Sequence, residues 1–165
     1  MPVPFAIGRT VMRWINVNEK YLDFLREFEK RIPRTDYGSD RYKPFFGILF
    51  EKNNLFYITQ ISHAQPRHLK MKNQPDFFKV YDPQQLSRLI AVVNLKYMFL
   101  IPKNEITPFV KKDIDTYRNF KSEEEKCKYI DLLDSEMRMI KTMNLPDAAK
   151  KLYQKKYAFP DSKIS

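Results

Sequence analysis

Apolar and polar positions fall into an ordered series of short periodic segments. Asn16 and Glu19 have the spacing of a capping box, in which a polar side chain and a carboxylate satisfy free amides at a helix start. Tyr21, Phe24, Leu25, Phe28 and Ile32 follow at helical spacing, and Pro33 stops the predicted helix. Arg34 to Lys43 is polar, holds Gly38 and Ser39, and reads as a loop. Pro44 to Glu51 is a predicted strand, Lys52-Asn53-Asn54 a turn, and Leu55 to Ser62 the returning strand of a hairpin. Phe77 to Tyr81 is a short strand broken by Asp82-Pro83, and Gln84 to Arg88 reads as a helical turn. Leu89 to Asn94 and Tyr97 to Ile101 are β-rich. Ser122-x-x-Glu125 opens a long helix with Ile130, Leu133, Met137 and Ile140 on one face. A last helix starts near Pro146 and turns Ala148, Ala149, Leu152 and Tyr153 inward. This order predicts an α+β fold: a single domain with a twisted, mostly antiparallel sheet flanked by helices.

Composition narrows the function classes. The 165 residues suit one domain, and 43% hydrophobic content, with 15% aromatic, supplies a core. The formal net charge of +10 points to a polyanionic partner, most often nucleic acid. Three glycines leave no Gly-rich phosphate cradle. The longest apolar run, Leu89 to Ile101, is interrupted by Asn94 and Lys96 and falls short of the roughly 18 residues that span a bilayer. No membrane association is expected. The opening MPVPFAIGRT lacks the charged and apolar regions of a secretory signal. The single cysteine, Cys127, leaves no internal disulfide and no cysteine-based zinc site, so a reducing, cytoplasmic setting is expected. Metal-ligand spacings, nucleotide-binding glycine patterns and a nucleophile elbow are all missing, and no cofactor is expected.

The chemistry concentrates in one stretch, Ile61 to Lys72, ISHAQPRHLKMK. It carries both histidines of the chain, His63 and His68, with Arg67, Lys70 and Lys72. From Lys52 to Pro75 there is no Asp or Glu. An imidazole near pKa 6.5 exchanges protons at neutral pH, and an uncompensated basic loop binds phosphate. The same residues also describe two solvated imidazoles in a basic turn. Arg41 and Lys43 are expected to approach this loop across the hairpin. Adjacent strand residues point to opposite faces, so Ser62 and His63 share one site only if the strand ends at Ser62. Glu123 to Glu125 is most simply a helix start complementing its dipole.

The ordered set KYLDFLREFEKRIP, YKPFFGILFE, a hairpin into the basic loop, DFFKVY, AVVNLKYMFLIP, KYIDLLDSEMRMI and AAKKLYQKKY resembles the ToxN/AbiQ family of type III toxins. The resemblance covers about Met12 to Tyr157. It implies a toxin endoribonuclease domain over 12–157, an N-terminal extension over 1–11 and a C-terminal tail over 158–165. It further implies metal-independent RNA cleavage by 2′-hydroxyl attack, giving a 2′,3′-cyclic phosphate and a 5′-hydroxyl. A small RNA antitoxin would inhibit the enzyme, cellular mRNA would be its substrate, and toxin and RNA would close into an RNA-bridged assembly serving phage defence.

Residue by residue, Lys43 matches the lysine that the family places before the first hairpin strand. Ser62 stands at the family's threonine position, His63 where its catalytic serine usually stands, and Gln65 replaces its lysine. The catalytic set implied is Lys43, Ser62, His63 and His68. Lys43 would neutralise charge or act as a base, Ser62 would hold a phosphate oxygen or orient the 2′-hydroxyl, and His63 would transfer a proton. His68 would serve catalysis or RNA contact. Arg41, Tyr42, Gln65, Arg67, Lys70 and Lys72 would bind RNA, with Tyr42 stacking on a base. Which group is acid and which is base stays open. The alternative is a non-catalytic nucleic-acid-binding regulator whose loop only grips phosphates.

Overall fold

Trp14 and Ile15 are neighbours, and both are buried, so the strand that carries them has no solvent face. This is β1 (Arg13–Val17). The computed structural model describes residues 12–30, 32 and 44–158. The predicted loop Arg34–Lys43, with Arg41, Tyr42 and Lys43, lies outside the described residues, as do the Pro33 stop, residues 1–11 and most of the C-terminal tail.

β1 pairs with β2 (Phe45–Lys52), which pairs with β3 (Leu55–His63). Asn53 and Asn54 join these two strands at φ 53° and 63°. A two-residue hairpin with both positions left-handed matches the strand twist, and asparagine tolerates that region best after glycine. Beyond them, β4 (Phe77–Asp82) and β5 (Gln85–Asn94) form a second hairpin. β6 (Phe99–Pro102) and β7 (Ile106–Pro108) complete seven strands among the described residues. The order is β4-β5-β3-β2-β1-β7, with β6 paired to β3 off this path, and every pairing is antiparallel. One edge of β3 is shared end to end: Leu55–Ile58 pairs with β6, and Ile61–His63 pairs with β5.

The β2–β3 register shifts between Phe46 and Phe50. Gly47 sits in this bulge, and a Cβ there would lie 2.9 Å from Ile58 Cγ2 and 3.4 Å from the Tyr57 carbonyl oxygen. The close approach requires glycine.

The faces of the sheet build two apolar clusters. Trp14, Phe46, Phe50, Tyr57, Ile61, Val80, Ala91 and Val93 meet α3 (Glu123–Ile140) and α4 (Leu145–Ala158) through Leu133, Met137, Ile140, Leu145 and Ala149. Trp14 also donates its indole N–H to the Leu133 carbonyl at 3.1 Å. On the opposite face Ile15, Val17, Phe45, Phe56, Ile58 and Ile101 pack on Leu22 of α1 (Glu19–Arg26). A short α2 (Ile114–Tyr117) precedes α3. The fold is thus the predicted α+β, a single open antiparallel sheet flanked by helices.

Three local expectations are corrected. The first helix is capped by Asn18, whose Oδ1 accepts from the Lys20 amide at 3.1 Å, and Asn16 belongs to β1. The helix ends at Arg26 and buries Leu22, leaving Phe24 and Phe28 exposed at 49% and 76%. The stretch Gln84–Arg88 is no helical turn, because β5 already starts at Gln85. The long helix starts as predicted: Ser122 Oγ accepts from the Glu125 amide at 3.1 Å.

Candidate functional site

β3 carries the first site residues, and its pairing decides their directions. The strand continues through both Ser62 and His63, which face Val92 and Ala91 of β5. Successive side chains therefore leave opposite faces of the sheet. His63 shares its face with Ile61, Ala91 and Val80, the face covered by α3 and α4. Ser62 lies on the other face, in register with Val92 and, one strand further, Lys79. Both Ser62 and His63 are exposed.

After His63 the chain turns into a short 3-10 helix, Pro66–Lys70. Proline suits its first position, where no amide donor is needed. The turn folds over the face of Ser62. The His68 ring meets Phe77, centroids 5.9 Å apart, and Lys79 Nζ donates to the Leu69 carbonyl at 3.1 Å. The Lys79 amide donates to Asn73 Oδ1 at 3.0 Å, tying the loop's return to β4. Phe77 and Lys79 project from the face opposite Val80, so they share Ser62's side.

The two histidines differ sharply. His68 is 6% exposed, and its Nδ1 accepts from the Gln65 amide at 2.8 Å, while the His68 amide donates to the Gln65 carbonyl at 2.9 Å. Desolvation lowers the His68 pKa below the imidazole value of 6.5, and the charges of Arg67 and Lys79 lower it further. His68 is therefore a neutral, engaged side chain. His63 stands exposed at the strand end.

Gln65, Arg67, Lys70 and Lys72 are all exposed on the loop, and no carboxylate is within its sequence. Lys79 joins them in space. Its signal in the sequence was a lysine inside the apolar strand segment Phe77-Phe78-Lys79-Val80, which strand alternation alone explains equally well. On the other face, a cleft of about 730 Å³ between the β4–β5 hairpin and α3 is lined by Arg88, Lys128 and Arg138, but equally by Asp82, Asp131 and Asp134. Its balanced charge favours phosphate far less than the acid-free loop. Among the described residues no three His, Cys, Asp or Glu side chains cluster to hold a metal, and no helix is long and apolar enough to cross a membrane.

The model of the family described as toxin ToxN of a type III toxin–antitoxin system matches residues 13–165. The chain belongs to this family. The fold of this ToxN-family chain recurs in solved structures. One, reported as "A processed non-coding RNA regulates a bacterial antiviral system", has a TM-score of 0.73 at 17% identity, over 92% of this chain and 90% of that one. AbiQ, a lactococcal anti-phage endoribonuclease of a type III toxin–antitoxin system, has a TM-score of 0.71 at 17% identity, over 94% of this chain and 90% of its own. A third, reported as showing "selective toxin inhibition by a non-coding RNA pseudoknot", has a TM-score of 0.68 at 18% identity, over 93% of this chain and 83% of that one. No curated protein sequence matches the chain.

Proposed function

We propose that this ToxN-family chain is an endoribonuclease toxin that cuts cellular mRNA and is held inactive by a bound small RNA antitoxin. The family match over residues 13–165 carries this reading. The likeness in fold to AbiQ, itself an endoribonuclease, supports it, as does the exposed cationic loop over Ser62's face. The domain is taken as residues 12–157, with 1–11 as an extension and 158–165 as a tail. The setting is cytoplasmic, and toxin and antitoxin form an RNA-bridged closed assembly.

The reaction is metal-independent transesterification. A base takes the 2′ proton, the 2′ oxygen attacks phosphorus, and an acid protonates the departing 5′ oxygen. The products are a 2′,3′-cyclic phosphate and a 5′-hydroxyl. His63, exposed at the end of β3, is the proton-transfer group. Arg67, Lys70 and Lys72 draw in the phosphate backbone, Gln65 contacts RNA beside them, and Ser62 donates to a phosphate oxygen on their face. Lys43, the family's lysine position by resemblance, would stabilise the charge of the phosphorane. Arg41 and Tyr42, next to it in sequence, extend the RNA contact.

Ser62 and His63 leave opposite faces, so both serve one RNA only if it crosses the end of β3. The test is incubation of the purified chain with cellular RNA in EDTA, followed by mapping of new ends. Cyclic-phosphate and 5′-hydroxyl ends, lost with His63→Ala, are the expected result. Bound but intact RNA would replace the enzyme with a phosphate-gripping regulator.

A further inference from the structure

His68 has the composition of a catalytic residue and the surroundings of a structural one. It is 6% exposed, its ring lies against Phe77, and its Nδ1 is occupied by the Gln65 amide at 2.8 Å. The amide that it holds belongs to Gln65, two residues past the end of β3. Lys79 also ties the loop to the sheet, through the Leu69 carbonyl and the Asn73 side chain. We propose that His68 is a positioning residue, a proton-sensitive latch whose neutral imidazole fixes the Gln65–Lys70 turn and thereby the cations that grip RNA. This rests on the endoribonuclease reading for its consequence, though not for its geometry.

The latch works in one protonation state only. A neutral imidazole accepts at Nδ1 while its proton sits on Nε2. A second proton, on Nδ1, turns that acceptor into a donor facing another donor, and the Gln65 bond is lost. Among the described residues, the charges that act on the ring are those of Arg67 on the turn and Lys79 on β4, beside the uncharged Phe77. No carboxylate from the loop is there to steady an imidazolium, since none occurs from Lys52 to Pro75. Protonation therefore expels the ring rather than reinforcing the site, and the turn opens with it.

Asparagine separates latch from titration. Its Oδ1 occupies the position of imidazole Nδ1, accepts from the same amide and does not titrate. The experiment follows the Gln65 amide by nitrogen-15 NMR hydrogen exchange from pH 8 to pH 5. It compares the unaltered chain, His68→Asn and His68→Ala, and measures cleavage of total cellular RNA over the same range. In the unaltered chain, Gln65 protection should fall about tenfold on acidification, with the midpoint of the His68 ring's own titration and below 6.5. His68→Asn should keep protection throughout and lack the corresponding acid limb in cleavage, whereas His68→Ala should lack protection at every pH. A Gln65 amide indifferent to His68 titration overturns the latch, even in an active enzyme. A protein that leaves RNA intact but shows the pH-linked Gln65 amide overturns the nuclease reading and retains the latch.

Discussion

Two imidazoles five positions apart stand in opposite surroundings, one solvated and one buried, and different effects of their substitution are expected. His63 is exposed, so His63→Ala should leave folding unchanged and lower cleavage by about 10²–10⁴-fold, the usual contribution of a positioned acid or base. Single-turnover cleavage with circular dichroism on the same sample checks both halves. Ser62 and His63 diverge across the sheet, so their losses should combine additively in the double variant rather than as one catalytic unit. A double variant no worse than His63→Ala would show that the two act as a unit. His68 also ties stability to pH. Its folded pKa lies below the unfolded 6.5, so its contribution is full above that value. As pH falls through 6.5 the unfolded chain takes the proton first, and stability declines until the folded pKa is passed. Urea denaturation at several pH values should show this slope in the unaltered chain and not in His68→Asn.

At the scale of elements, the β2 bulge and the α3 cap give the sharpest expectations. Gly47→Ala forces a Cβ against fully buried Ile58, a β-branched side chain that is stiff at χ1. A loss of about 1–3 kcal/mol is expected in urea denaturation, as for other overpacked cores. Ser122→Ala removes the oxygen that accepts the Glu125 amide and should cost about 1 kcal/mol, read the same way. The elements also show what a sequence discloses. α3 was legible because its cap and one-sided apolar stripe agree. β1 was not: Trp14 and Ile15 enter different clusters, and a strand buried on both faces has no alternation to detect. The start of β5 failed for the converse reason, since Gln85, Leu86, Ser87 and Arg88 are all exposed and present no apolar face. In α1, two asparagines precede one glutamate, and only the pairing of Asn16 with Thr107 assigns the first to a strand.

On the scale of the whole molecule, the charge of +10 is not evenly useful. The cleft beside α3 balances its cations with three aspartates, while the loop over Ser62's face has none. RNA affinity should therefore fall steeply with salt. If Arg67, Lys70 and Lys72 each neutralise one phosphate of a single strand, replacing all three with alanine should flatten the log–log slope by about 2. Filter binding at several salt concentrations measures this, and an unchanged slope would place the RNA elsewhere. The loop's location was legible, because histidines and cations without acids stand out in any reading. The division of its residues between two faces was not, since it turned on whether β3 stops at Ser62 or His63. The burial of His68 depends on a turn that closes on its own amide, which residue types alone do not reveal.

The place of β1 in the sheet has a further consequence. Val17 pairs with Ile106, and the Trp14 indole bonds to the Leu133 carbonyl. β1 thus meets Leu22 of α1 and its partner β2 early, but its other edge and its Trp14 face wait for Ile106 and Leu133, the latter 119 positions beyond Trp14. Such distant closure slows folding and leaves the nascent chain open to chaperones. Synthesis itself then imposes a delay: the sheet cannot close on β1 until β7 has been made, and the Trp14 indole has no acceptor until α3 has followed it.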